Sequence, residues 1–162
     1  MSNFHCARRV AAILILGLSL VTAAAADDKM DVLAVADAAL ERITAEDSVG
    51  LSNLMIEQAM IYVATAGDGG YNVRTRTYAD TRARDIDVDL IERGFDPTVL
   101  VAETIATVWY PYDIYVDGEW SHCGVDIFNL VRTENGWRIA SLTYNVQQPP
   151  TCRQHPEGDP TK

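Results

Sequence analysis

Positive charge is scarce in this chain. Its 13 Lys and Arg residues stand against 23 Asp and Glu, a formal net charge of −10 at pH 7. An acidic surface of this kind repels nucleic acid and anionic lipid, which argues against both as partners. Long apolar runs are missing as well. The longest stretch, Val10 to Val21, covers 12 residues, well short of the roughly 20 needed to span a bilayer. No nucleophile-elbow motif appears, so a serine-based triad has no support. The glycines at 67, 69 and 70 lead into a strand pattern. A phosphate cradle needs a following helix N-terminus, so a hairpin turn is the better reading. Internal repeats and low-complexity tracts are absent. There are only three cysteines and three histidines. His122 and Cys123 are adjacent in a strand pattern and point to opposite faces, which argues against a metal site built from them with His155.

The N-terminus has the pattern of a secretory leader. Arg8 and Arg9 precede the apolar run, Ala24, Ala25 and Ala26 form a small-residue cleavage site, and no cysteine follows at a lipoprotein position. Residues 1–26 are therefore expected to be a signal peptide, leaving a domain over 27–148 and a tail over 149–162. Removing Arg8 and Arg9 makes the chain still more acidic. Cys6 leaves with the leader. Cys123 and Cys152 remain, and an exported pair suggests a disulfide that would tether the tail. A free buried Cys123 and a reactive thiol are the alternatives.

Along the mature chain, Val32, Val35, Ala36, Ala39, Leu40 and Ile43 fall at helical spacing. Asp47 or Ser48 can cap a second, shorter helix through Leu51, Leu54 and Met55. Residues 60–65 and 71–77 read as strands. Ala79, Ala83, Ile86, Leu90 and Ile91 predict a third helix stopped by Gly94. Arg74, Arg76, Arg82 and Arg84 alternate with Asp80, Asp85, Asp87 and Asp89, which suggests a solvated, salt-bridged surface.

From Val99 to Val146 the pattern becomes a meander of three long strands. Its turns are marked by Asp117-Gly118 and Asn135-Gly136. Counting register from the first turn places Asp113 opposite His122 and Trp109 opposite Asp126. One face then carries Trp109, Asp113, His122, Asp126, Phe128, Leu130, Trp137, Ile139, Ser141 and Thr143. The other carries Val108, Tyr110, Tyr112, Ile114, Cys123, Val125, Ile127, Leu142, Tyr144 and Val146. A bulge at Gly118 would swap the first strand between faces. The tyrosine-rich face, if uncovered, suits a homodimer interface.

The segments Tyr112 to Trp120 (YDIYVDGEW), Ser121 to Val131 (SHCGVDIFNLV) and Asn135 to Ile139 (NGWRI) resemble the nuclear transport factor 2-like superfamily, and within it the SnoaL-like and lumazine-binding branch. The resemblance implies an α+β fold: a cone-shaped, curved antiparallel sheet with three helices on its concave face, enclosing a pocket. It implies no single activity.

Two functions follow as expectations. The first is an exported pocket domain that binds a small apolar or aromatic molecule through Trp109, Asp113, Phe128, Ser141 and Thr143, without catalysis, metal or cofactor. The second is a cofactor-free acid/base enzyme (isomerase, dehydratase or hydrolase) using Asp126 with His122, oriented by Asp113.

Overall fold

A computed structural model describes residues 18–67 and 69–162. Most of the expected leader lies outside the described residues. Helix α1 (Leu18–Thr44) and helix α2 (Ser48–Asn53) come first, and strands β1 (Met55–Gly67) and β2 (Gly70–Thr77) follow as a hairpin. Helix α3 (Tyr78–Arg82) leads to β3 (Leu90–Gly94), β4 (Thr98–Ala102), β5 (Ile105–Val116), β6 (Glu119–Thr133) and β7 (Gly136–Val146).

The strands form one sheet in the order β2-β1-β7-β6-β5-β3, and β4 pairs with the free half of β5 beside β3. All pairs are antiparallel except β1 with β7. The fold class is the α+β arrangement expected, with helices over one face of a curved, open sheet.

Local chemistry explains several boundaries. Asp47 caps α2 through its carboxylate, which accepts from Gly50 N at 2.7 Å. Thr77 and Asp80 form a reciprocal capping box at the start of α3. That helix ends at Arg82, so the third helix expected through Leu90 and Ile91 up to Gly94 is mostly replaced by coil and β3. The residues Asp85-Ile86-Asp87-Val88-Asp89-Leu90 alternate polar and apolar, a period of two that favours extended chain over a helical face. The first meander strand is also shorter than expected. It breaks at Glu103, in left-handed backbone with φ of 53°, so 98–116 is a hairpin of β4 and β5.

The core lies between α1 and the sheet. Val32, Ala36, Ala39 and Leu40 of α1 meet Ile61, Val108, Phe128, Leu130, Trp137 and Ile139, all buried. Each large apolar side chain so buried stabilises the fold by roughly 1.5–3 kcal/mol.

Gly94 has a packing role, not the helix-stop role expected of it. A Cβ there would come within 2.4 Å of the Tyr110 ring and 2.7 Å of Leu40 Cδ1. The ring is held by the Tyr110 hydroxyl donating to Asp37 Oδ1 at 2.8 Å, so it has little freedom to retreat. Gly94→Ala is expected to cost about 1–3 kcal/mol through overpacking, read as a fall in the urea midpoint at unchanged m.

Candidate functional site

Two bulges decide which side chains face the helices. The Asp117-Gly118 turn forms as expected, with φ of 51° and 81°, and Val116 pairs with Glu119. Two residues on, Tyr115 pairs with Trp120 but Ile114 pairs with His122, leaving Ser121 as an extra residue in β6. The rest of β5 is thereby shifted by one. A second shift lies in β7, where Leu130 pairs with Ile139 but Asn129 pairs with Ser141, leaving Ala140 extra.

Each bulge turns over half a strand. His122, Asp126 and Phe128 remain on the concave face, as expected, and so do Trp137 and Ile139. They are joined there by Tyr110, Tyr112, Ile114, Leu142 and Tyr144. Four of the expected pocket residues are on the convex face instead. Trp109 is 49% exposed, and Ser141 accepts a hydrogen bond from Asn129, whose Oδ1 accepts from Thr107 in turn. Thr143 pairs with Ile127 on that side. Asp113 pairs with Cys123, not His122, so the expected Asp–His–Asp relay does not form. Phe128 keeps its face but is fully buried in the core and does not line the cavity. The condition for a dimer interface on the tyrosine-rich face is not met, because Tyr110, Tyr112, Ile114 and Leu142 are buried.

Asp113 has a structural role. It accepts Arg93 Nε at 3.0 Å and Arg93 Nη2 at 2.6 Å, and the backbone N–H of His155 at 2.9 Å. A Cys123–Cys152 disulfide joins the tail to β6 nearby. Arg153 pairs with Asp96, and Gln154 donates to the Tyr115 hydroxyl, so the tail is strapped across this end of the convex face.

The concave face opens into a cavity of about 230 Å³. Its walls come from the end of α1 (Arg42, Ile43), from α2 (Asp47, Ser48, Leu51), and from Arg76 and Thr81. The loop after α3 adds Arg84, Ile86 and Val88. The sheet contributes Leu90, Glu92, Tyr112, Ile114, Val116, His122, Asp126, Leu142 and Tyr144. An apolar body with a few convergent polar groups is the character of a small-molecule pocket.

Two carboxyls meet in it. Asp126 is 2% exposed, and its Oδ2 has no hydrogen-bond partner among the described residues. Burial pushes its carboxyl well above the usual range, and the charge of Glu92 and a hydrogen bond to Glu92 push it further. Burial likewise raises Glu92 to about 7, opposed in part by the hydrogen bond from Asp126 and by the charge of Arg76. Burial and their mutual repulsion keep the two carboxyls from ionising together at ordinary carboxylate pH.

The neighbours are largely engaged within the protein. The Tyr112 hydroxyl donates to Asn145 O at 2.9 Å, and burial, followed by the charge of Asp126, raises its pKa. Burial lowers His122, which favours the neutral ring, and its Nδ1 is 3.0 Å from Ser121 Oγ. Arg76 faces the cavity from β2. The basic cluster is not the salt-bridged surface expected, because among the described residues none of Arg74, Arg76, Arg82 and Arg84 forms an ion pair. Arg82 instead donates to Ser52 Oγ and Asn53 Oδ1.

Glu92 escapes sequence reasoning because the helical reading of residues 79–91 absorbs its surroundings. The period-two alternation from Asp85 to Leu90 is the signal that could move it onto a strand facing Asp126.

No family model matches the chain, and no curated protein matches it. Solved structures do. An NTF2-like protein with a cystatin-like fold from Novosphingobium aromaticivorans superposes with a TM-score of 0.66 at 16% identity, over 83% of this chain and 92% of that one. A candidate β subunit of an aromatic-ring-hydroxylating dioxygenase from the same organism gives a TM-score of 0.65 at 11% identity, over 77% and 92%. An NTF2-like superfamily protein from Salmonella enterica gives 0.59 at 13% identity, over 77% and 93%. These neighbours carry different descriptions on one scaffold, so they bear on architecture and leave the chemistry to the site. The chain has the nuclear transport factor 2-like fold, with a carboxyl pair lining its concave cavity.

Proposed function

We propose that this is an exported small-molecule pocket protein whose Glu92–Asp126 pair moves a proton on the bound molecule, as in a cofactor-free isomerase or dehydratase. The observation that carries the reading is Asp126 Oδ2, a buried oxygen without a partner among the described residues at the wall of a cavity. Leaving a buried polar atom unpaired costs about 1–3 kcal/mol, and such atoms call for a functional reason. Two buried carboxyls with raised pKa values can give a proton to a ligand atom and take it back near neutral pH, which is the task of a general acid–base group. Export is supported by the leader-like N-terminus and by the disulfide. None of the described helices is long and apolar enough to cross a membrane. A homodimer through the convex face is part of the same reading, supported by exposed Trp109, Tyr62 and Leu100 on that side.

A second reading, binding without turnover, is favoured by one feature. The Tyr112 hydroxyl is already spent on Asn145 O, so it is not available to steady a developing oxyanion.

The test is solvent isotope exchange. The purified protein is incubated in D2O with small cyclic and aryl ketones, with and without a carboxylate, and deuterium incorporation is followed by mass spectrometry. Protein-dependent incorporation is expected, falling at least about a hundredfold in Asp126→Asn and Glu92→Gln. Ketones that bind without incorporating deuterium would leave only the binding reading.

A further inference from the structure

The cavity lining lacks the acidic excess of the whole chain. In a chain of net charge −10, three arginines (Arg42, Arg76 and Arg84) line one cavity beside three carboxyls, Asp47, Glu92 and Asp126. Arg42 is accounted for, because it pairs with Asp47 at 3.0 Å. Arg76 and Arg84 pair with no carboxylate among the described residues.

Arg76 is also held in place. Its Nε donates to Thr81 Oγ1 at 3.2 Å, and that hydroxyl donates to Thr77 O at 2.9 Å inside the capped turn of α3. Thr81 is 2% exposed. A guanidinium gripped at Nε by a buried hydroxyl has its two terminal nitrogens left to present to a ligand, and two parallel N–H groups match a carboxylate edge. Burial disfavours the charged form of Arg76, so holding it there without an anion costs stability that an anionic ligand would return.

The rest of the lining sets the other half of the ligand. It includes the carboxyl pair and the apolar side chains of Ile43, Ile86, Leu90, Ile114 and Leu142. The volume of about 230 Å³ is below the roughly 300 Å³ at the lower end of drug-sized sites, which limits the occupant to a small molecule.

We propose that the pocket takes a small organic acid: a carboxylate held by Arg76 and Arg84, with an apolar body against the rest of the lining, which includes Glu92 and Asp126. This rests on the proton-transfer reading only for the role of the carboxyl pair; the anion site stands on the arginines. The polarity of the arrangement also selects among ligands. A carboxylate set against the Glu92–Asp126 pair would be repelled, so the acid group belongs against the arginines.

Phenylacetate and its neutral isostere phenylacetamide separate the possibilities. Their dissociation constants are measured by calorimetry at pH 7 and low salt on the whole mature protein. Phenylacetate is expected to bind at least about tenfold more tightly than the amide, the size of one charge-assisted hydrogen bond. Arg76→Gln should abolish that preference while leaving the amide's affinity within about twofold. Arg84→Gln alters an exposed side chain, so it tests the anion site with little risk to folding, and it should reduce the preference severalfold. Equal binding of acid and amide by the unmodified protein, or an undiminished preference in both variants, would overturn the anion site while leaving the pocket and its proton chemistry standing. Failure of both compounds to bind at millimolar concentration would overturn the small-acid assignment. Loss of deuterium exchange with the acid preference intact would overturn only the proton-transfer reading.

Discussion

Asp113→Ala should cost about 3–5 kcal/mol of stability, the penalty for breaking a buried ion pair from one side. Asp113 is fully buried, and three donors converge on it: Nε and Nη2 of Arg93 and the backbone N–H of His155. Removing the carboxylate leaves the Arg93 side chain, 16% exposed, with its charge uncompensated, and leaves the His155 amide without its acceptor. The tail would stay attached through Cys123–Cys152 but lose its anchor at His155. Urea unfolding should show a lower midpoint at unchanged m, with faster amide exchange across residues 153–158. Replacing both partners, Asp113→Leu with Arg93→Met, should lose much less than the single change, because no charge is left stranded. A single-variant loss below about 1 kcal/mol would contradict the buried-pair assignment.

Stability should fall as pH rises through neutrality, and Asp126→Asn should remove most of that fall. The sign follows from the raised carboxyls. The folded protein keeps protons on Glu92 and Asp126 that the unfolded chain releases from about pH 4 upward, so each step up in pH favours unfolding. For Glu92 the window closes near pH 7; for Asp126 it runs from the ordinary carboxylate value up to its own raised value. His122 acts in the opposite sense below about pH 6.5, since burial lowers its pKa and the unfolded chain takes up the proton first. Above pH 7 any further fall in stability from this pair belongs to Asp126. There the slope can reach about 1.4 kcal/mol per pH unit for each proton retained. Asparagine keeps the donor to Glu92 and has no proton to lose. The variant should thus lose less stability than the unmodified protein as pH rises. Parallel stability curves for the two proteins would show that Asp126 ionises normally in the fold. A site group that destabilises its own fold in this way is a common trade between function and stability.

The architecture is legible because it rests on long-range pattern. The helical stripe of α1, the Asp117-Gly118 turn, the cysteine pair and the apolar run through Phe128, Leu130, Trp137 and Ile139 are each encoded over several residues, and each is found in the structure. The site is less legible because it depends on single extra residues. Period-two counting assumes an unbroken ladder, and Ser121 and Ala140 each interrupt it once. Neither carries a bulge signal of its own, since a bulge residue of this kind needs no glycine and no positive φ. Asp126 and His122 fall on the expected face because they lie beyond the Ser121 bulge on β6 itself, where parity counts from within one strand. Trp109, Asp113, Ser141 and Thr143 lie across a bulge from that reference, and all four take the opposite face to the one expected. Glu92 is hidden for a different reason: the short helix α3 stops after one capped turn, and the apolar residues beyond it mimic helical spacing while belonging to coil and strand.

Glu92 and Asp126 form a buried pair whose two carboxyls both ionise above the ordinary carboxylate range. The most direct measurement is a carbon-13 NMR titration of side-chain carboxyls in protein labelled at Asp and Glu, with Asp126→Asn and Glu92→Gln used to assign the two signals. The expected result is an Asp126 carboxyl that titrates well above the ordinary carboxylate range and a Glu92 carboxyl that titrates near 7, each signal shifting when the other residue is replaced. Independent titration of both groups near the ordinary carboxylate value of about 4 would contradict it.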